Sequence, residues 1–279
     1  MPIENIPQVY FKTKEENLDL FVYDFKMTND VVKSKVNLGM NMFSFLQVGK
    51  KQVHFAGASV EVNKDQSLLL KKGNWLWTEL LDTSEIYNCK LFFFSEEKLK
   101  YFLDKHCKNR GLIDDEIPYF IIRNDSYITS YLNSLSTICE TPTSFMENLL
   151  SIKFEELMLY LLQKYGRDFE LYLHSLIIKE SSTFNKIIEN KIHSNLKLEE
   201  IAFLCNMSLS TFKRHFIKKY KTSPGKWLHD KRLQKAKEIL ELDNLKPSDI
   251  YLDFGYNSLS NFSIAFKNKF GFNPSETTS

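Results

Sequence analysis

The chain has 279 residues, of which 43% are hydrophobic and 26% charged, an ordinary balance for a globular protein with room for two cores. No run of about 18 apolar residues occurs, which argues against a membrane-spanning helix, and the N-terminus MPIENIPQVYFKTKEEN lacks the basic-then-apolar order of a secretion signal. The net charge of +2 hides an asymmetry: Phe184 to Ser279 holds 16 Lys and Arg against 10 Asp and Glu, leaving 21 basic and 25 acidic residues elsewhere. A basic C-terminal third beside an acidic remainder predicts different partners for the two parts. Cys89, Cys107, Cys139 and Cys205 show neither CxxC pairing nor clustering with histidine, and read as reduced thiols of a cytoplasmic protein.

Up to about residue 95 the chain reads as short strands. Phe43 to Val48 and Gln52 to Phe55 flank Gly49-Lys50-Lys51, which predicts a hairpin. Ser59 to Val62 and Ser67 to Leu70 follow, separated by Asn63-Lys64-Asp65, and then a Trp75-Leu76-Trp77 segment. Tyr87 to Phe94 ends in Lys-Leu-Phe-Phe-Phe, a strand expected to be buried on both faces. Strands at this spacing predict a small sandwich or barrel.

From Glu96 the period becomes helical. Leu99, Phe102 and Leu103 form one stripe, and a stronger one runs from Phe145 to Leu162, with Ser144 as its cap and Gly166 as the left-handed residue beyond its end. That helix is apolar around much of its circumference, so it packs either on its own barrel or against a second chain. The polar stretch Lys179-Glu180-Ser181-Ser182-Thr183 marks the linker. Domains are therefore expected at 1–180 and 181–279.

The last part repeats one pattern. Leu198 to Cys205 reads as a short helix with small Ala202 on its packing face, Asn206-Met207 as a turn, and Ser208 as the cap of a helix from Leu209 to Tyr220. Phe212 and Phe216 point inward, while Ser210, Thr211, Lys213, Arg214, Lys218 and Lys219 are displayed, as contacts to phosphates and base edges require. About fifty residues on, Pro247 opens the next unit, Ile250 to Phe254 form its short helix, Gly255 makes the turn, and Ser258 caps Leu259 to Phe270 with Phe262 and Phe266 inward. Between the units, Ser223-Pro224 starts a helix through Leu240, roughly 28 Å long at about 1.5 Å per residue. That approaches the DNA repeat of about 34 Å, so both second helices can lie on one DNA face.

These residues resemble the AraC/XylS family of regulators from about Leu196 to Glu276. The resemblance is carried by Glu200-Ile201-Ala202, Met207-Ser208, Phe212 to Phe216, Ser223-Pro224, Arg232 to Ala236, and above all Gly255 to Phe262 with Phe266-Lys267 and Phe270 to Ser275. It implies an all-α DNA-binding domain with two helix-turn-helix units behind a cupin-like β-barrel or sandwich with helices, an α+β chain overall. It further implies a cytoplasmic transcription regulator that binds two successive major grooves of double-stranded DNA and usually activates through RNA polymerase. The N-terminal domain would respond to a small-molecule effector or a regulatory protein, or form a homodimer. Four residues depart from the family pattern. Lys197 replaces a hydroxyl cap, Tyr251 a small residue in the second unit's first helix, Asn261 an aromatic residue, and Ile264, the counterpart of Arg214, a residue often Arg. The first unit is thus expected to carry most base readout and the second to anchor phosphates.

The expected DNA contacts are Ser208, Ser210, Thr211, Lys213, Arg214, Lys218 and Lys219 in the first unit, and Asn257, Ser258, Ser260, Asn261 and Lys267 in the second. Arg214 is either a bidentate guanine reader or a surface ion pair, and Ser258 either a cap alone or also a phosphate contact. The lysines suit phosphates, since a flexible point charge specifies little. His54 stands without the further histidines and glutamate of a metal cupin, so no catalytic residue, metal or cofactor is expected. Lys71, Lys72, Trp75 and Trp77 either line an acid-binding pocket or form a charged turn beside two core tryptophans. The rival readings are a cupin-type enzyme with a DNA-binding tail and a protein-interaction module.

Overall fold

The structure, a computed structural model, describes residues 2–11, 18–55, 58–83, 85–107, 118–139, 143–177, 184, 187–188, 196–242 and 245–277. It divides into two compact units, 1–181 and 182–279. The 179–183 stretch, where the sequence places a linker, lies outside the described residues. No described helix is long and apolar enough to cross a membrane.

Among the described residues the first unit holds ten strands: β1 (Ile3–Ile6), β2 (Leu20–Met27), β3 (Val31–Leu38), β4 (Asn41–Val48), β5 (Lys50–Phe55), β6 (Ala58–Val62), β7 (Gln66–Leu70), β8 (Gly73–Leu80), β9 (Tyr87–Phe94) and β10 (Tyr119–Arg123). With them are helices α1 (Glu96–His106), α2 (Ser126–Cys139), α3 (Thr143–Tyr165) and α4 (Arg167–Ile177). The strands form two five-stranded sheets, ordered β1-β3-β8-β5-β6 and β10-β7-β4-β9-β2. This is the cupin-like sandwich with appended helices that the family resemblance implies.

Burial follows the pleat. Val36, Leu38, Val53, Trp75 and Trp77 of the first sheet meet Met42, Leu46, Leu68, Leu70, Leu91 and Phe93 of the second. The second sheet's other face, with Phe43, Phe45, Leu69, Phe92 and Phe94, is covered by apolar residues of all four helices. Strand β9 is therefore buried on both faces, as its continuous apolar run predicts.

The expected hairpin at Gly49 does not form. Strand β4 pairs with β7 and β9, while β5 pairs with β6 and β8, so the chain changes sheets at this corner. Gly49 takes φ +97°, and a Cβ there would lie 2.6 Å from the Leu80 carbonyl oxygen and 2.8 Å from Tyr87 Cδ2. Local turn chemistry was legible, but the sheet each flanking strand joins depends on distant residues. Helix α3 starts at Thr143, so Ser144 lies inside its first turn and does not precede it. Gly166, at φ +57°, ends α3 as expected.

On α3, Leu150, Phe154, Leu157, Met158 and Leu161 are buried, while Phe145, Ile152 and Leu159 are exposed at a spacing of seven. Trp75 and Trp77 are core residues, Lys71 Nζ donates to the Ser175 carbonyl at 3.1 Å, and Lys72 Nζ pairs with Glu96 at 2.6 Å. Both lysines therefore have protein partners, and both tryptophans lie in the core.

Inside the sandwich, Lys51 Nζ donates to Glu79 Oε1 at 3.0 Å, and the Tyr87 hydroxyl donates to the same oxygen at 2.9 Å. The ammonium also lies 3.8 Å from the Trp77 ring centroid. Burial raises the Tyr87 pKa well above its usual value and raises that of the Cys89 thiol, which Lys51 and a hydrogen bond with Ser44 partly offset.

Candidate nucleic-acid interface

The second unit contains α5 (Leu198–Leu204), α6 (Leu209–Tyr220), α7 (Pro224–Leu242), α8 (Pro247–Ile250) and α9 (Leu259–Phe270), followed by a 3-10 turn at Pro274–Glu276. Lys197 has no hydroxyl to cap α5, but its backbone N–H donates to the Glu200 carboxylate at 2.8 Å, which satisfies one end donor. Ile201, Ala202, Phe203 and Leu204 are buried. The chain then turns at Asn206, left-handed at φ +55°, and the Met207 N–H donates to the Ala202 carbonyl at 3.0 Å. Asparagine tolerates that conformation better than most residues other than glycine. Ser208 Oγ accepts the Thr211 N–H at 3.2 Å and so caps α6. Phe212 and Phe216 are fully buried, with Trp227 of α7 edge-on to Phe216 at 5.5 Å.

The second motif repeats this construction. The Lys246 N–H donates to Asp249 at 3.0 Å, Gly255 turns the chain at φ +80°, and the Tyr256 N–H donates to the Tyr251 carbonyl at 3.1 Å. Ser258 Oγ accepts the Asn261 N–H at 3.2 Å. The Phe262 and Phe266 rings are 5.7 Å apart, as are Phe212 and Phe216. The first helix is Pro247–Ile250, earlier than the Ile250 to Phe254 expected, with residues 251–255 continuing as hydrogen-bonded turns. Ile250 and Phe254 fill the core, and the bulky Tyr251 is half-buried and packs against it. Lys197 and Lys246 are 49 positions apart and Ser208 and Ser258 are 50 apart, because Asn257 lengthens the second turn by one residue.

Eleven of the twelve expected contact residues are exposed, and Ser258 is half-buried beneath its capping bond. With Phe212 and Phe216 inward, the helical period of 3.6 puts Ser210, Thr211, Arg214 and Lys218 on the outward face of α6 and Lys213 on its flank. Lys219 follows the Phe212 stripe and stays exposed at the helix end, its ammonium 5.9 Å from the Phe184 ring centroid. The Ser210 and Thr211 hydroxyls lie 3.0 and 2.9 Å from Ser208 Oγ, which gathers three hydroxyls at the head of this helix. On α9 the same construction puts Ser260, Asn261 and Lys267 outward, with Asn257 in the preceding turn. Two further outward residues, Ile217 and Asn268, were not anticipated, although each falls on the outward stripe once the buried phenylalanines define the inward one.

Two concavities flank these helices. One, of about 490 Å³, is bordered by His229, Asp230, Asn261, Ile264, Asn268 and Lys269. There Lys269 Nζ donates to the Asp230 carbonyl, and burial lowers the Lys269 pKa. The other, of about 710 Å³, separates the two motifs and includes Lys197, Lys213, Arg232 and Tyr256. Arg232 donates to the Leu196 carbonyl at 3.4 Å, with its pKa lowered by burial.

Two turn-separated helix pairs, each with an inward phenylalanine pair and an outward polar face, joined by the 19-residue α7, define a double helix-turn-helix DNA-binding domain. Residues 192–279 match the family described as helix-turn-helix domain, and residues 41–171 match the ExsA N-terminal regulatory domain. The second unit is thus similar to the helix-turn-helix domain of AraC-type regulators, and the first to the ExsA regulatory domain. It is 28% identical over 160 residues to the virulence regulon transcriptional activator VirF of Yersinia enterocolitica, covering 57% of this chain and 59% of that protein. It is also 28% identical over 130 residues to the HTH-type transcriptional regulator ExsA of Pseudomonas aeruginosa, covering 46% and 47%. The chain thus spans about half to three fifths of the length of these relatives. Among solved structures, an apo variant of ToxT from Vibrio cholerae shares 15% identity and a TM-score of 0.44, covering 94% of this chain and 97% of that one. Wild-type ToxT bound to an unsaturated fatty acid shares 16% identity and a TM-score of 0.40.

Proposed function

We propose that this protein is a sequence-specific, non-enzymatic transcription activator of the cytoplasm that places α6 and α9 in two successive major grooves of double-stranded DNA. Its N-terminal unit sets its activity in response to a small ligand or a regulatory protein, and bound DNA presents the chain to RNA polymerase. The observation that carries this reading is the repetition of one exposed, polar helix face on two motifs with matching buried phenylalanine pairs. The activator names of the VirF relatives support the direction of regulation. Selection from a random DNA library with the full-length protein at stated salt tests it. The expected product is a motif in two parts about one helical turn apart; a lack of enrichment at any salt refutes sequence-specific binding.

Arg214 and Lys218 have separable roles. Arg214→Ala is expected to weaken specific binding by about 1–3 kcal/mol and to relax one base position. Lys218→Ala is expected to weaken binding to all sequences and to flatten the salt dependence by about one phosphate contact. Titrations of both variants at several salt concentrations check the pair, and an unchanged site preference in Arg214→Ala removes its role as a reader.

The exposed stripe of Phe145, Ile152 and Leu159 on α3 favours one addition, a homodimer through this helix. A spacing of seven suits a helix-to-helix seam. Ile152→Asp is expected to convert the dimer to a monomer in light scattering, and an unchanged mass places any self-association elsewhere.

A further inference from the structure

We infer that the second recognition helix reads A·T pairs directly, with Asn261 pairing to adenine and Ile264 packing on a thymine methyl, so that the two motifs recognise bases of opposite kind. The inference rests on the DNA-binding reading above.

Residues of α6 and α9 correspond at a spacing of 50, which sets Thr211 against Asn261 and Arg214 against Ile264. Ile264 lies opposite the buried Phe262 and Phe266 and is 60% exposed. It therefore occupies the centre of the outward face, the position Arg214 holds on α6. Around it stand Ser260, Asn261, Lys267 and Asn268, all polar and exposed. An isolated apolar side chain at the middle of a recognition helix carries no hydrogen bond and no charge for a phosphate or a guanine edge. The feature of the major groove that it complements is the thymine C5-methyl group. Isoleucine is β-branched and nearly fixed at χ1 in a helix, so little rotamer freedom is lost on contact.

Asn261 stands three residues before Ile264, on the neighbouring stripe of the same helix. Its backbone N–H is engaged by Ser258, and its side chain is exposed. An asparagine amide matches the N6 donor and N7 acceptor of adenine in a bidentate pair. No Lys or Arg occurs between Leu259 and Phe266, so the first two turns of α9 offer no guanine reader. Phosphate anchoring, expected from the sequence, has weak support on this face. Lys269 is turned toward the Asp230 carbonyl, which leaves Lys267 as the outward cation of α9 among the described residues.

The test measures affinity of full-length protein for its selected operator by fluorescence anisotropy at fixed salt. Each thymine of the second half-site is replaced singly by deoxyuridine, which removes only the methyl group. One replacement is expected to weaken wild-type binding about fourfold, the worth of one buried methyl-sized group. Ile264→Ala should be insensitive to that replacement. Asn261→Ala should lose about 5- to 150-fold of adenine preference at a neighbouring position, with the first half-site's selectivity unchanged. Circular dichroism of both variants confirms an intact fold, as their exposure predicts. Specific binding with a second half centred on G·C, or with no thymine sensitive to methyl removal, overturns the inference and leaves the DNA-binding reading standing. An Ile264→Ala variant with unchanged DNA affinity overturns it likewise and assigns the exposed isoleucine to a protein contact. Failure to bind any DNA sequence selectively overturns both readings.

Discussion

Lys51→Met is expected to destabilise the N-terminal unit by about 3–5 kcal/mol, the cost of leaving a buried carboxylate without its counter-charge. The Lys51 and Glu79 side chains are 0% and 5% exposed, so water cannot replace the lost ammonium without opening the sandwich. The remaining Tyr87 hydroxyl neutralises no charge. Lys90 provides the contrast: it is equally enclosed, but its partner Asp24 is 49% exposed and can rehydrate, so Lys90→Met is expected to cost much less. Urea unfolding of the full chain measures both. A double variant, Lys51→Met with Glu79→Leu, should recover much of the loss, because removing both charges also removes the desolvation cost. A loss below about 1 kcal/mol in Lys51→Met would show that Glu79 reaches solvent.

Phe216→Ala is expected to cost about 3–5 kcal/mol in the C-terminal unit and to abolish DNA binding for every sequence alike. The ring is fully buried, with Phe212, Tyr220 and Trp227 at centroid distances of 5.7, 4.5 and 5.5 Å. Its removal leaves a cavity between α6 and α7 at the point where the outward face of α6 receives its orientation. Calorimetry alongside DNA titration checks this. A variant that binds with full affinity would mean that α6 keeps its place without the aromatic cluster.

Legibility in the sequence differed sharply between the two units. In the C-terminal unit the deciding contacts are close in the chain. The hydroxyl caps Ser208 and Ser258, the turn formers Asn206 and Gly255, and the phenylalanine pairs act within a few residues of one another, so local pattern carried the architecture. In the N-terminal unit the deciding contacts are distant. Strand β2 pairs with β9 through Leu20 and Phe94, and β10 pairs with β7 through Tyr119 and Leu70. The turn at Gly49 was legible, but the sheet that each flank joins was not. Segments such as β2, with mixed and half-buried residues, give a weaker alternation than the doubly buried β9. At the interface, the polar faces followed from composition and period. Ile264 stood out in the sequence as a departure from the family pattern, and its placement at the centre of the outward face required the structure.

The pairing of Arg214 on one motif with Ile264 on the other has a consequence for the DNA. Two identical readers in tandem would read the same bases in both halves of the site, whereas two unlike readers on one chain make the halves distinguishable and mark which is the head and which the tail. On the DNA-binding reading, a single chain is oriented by the bases beneath it. Inverting the site would turn the N-terminal unit and any surface offered to polymerase toward the opposite flank, so the operator carries polarity as well as address.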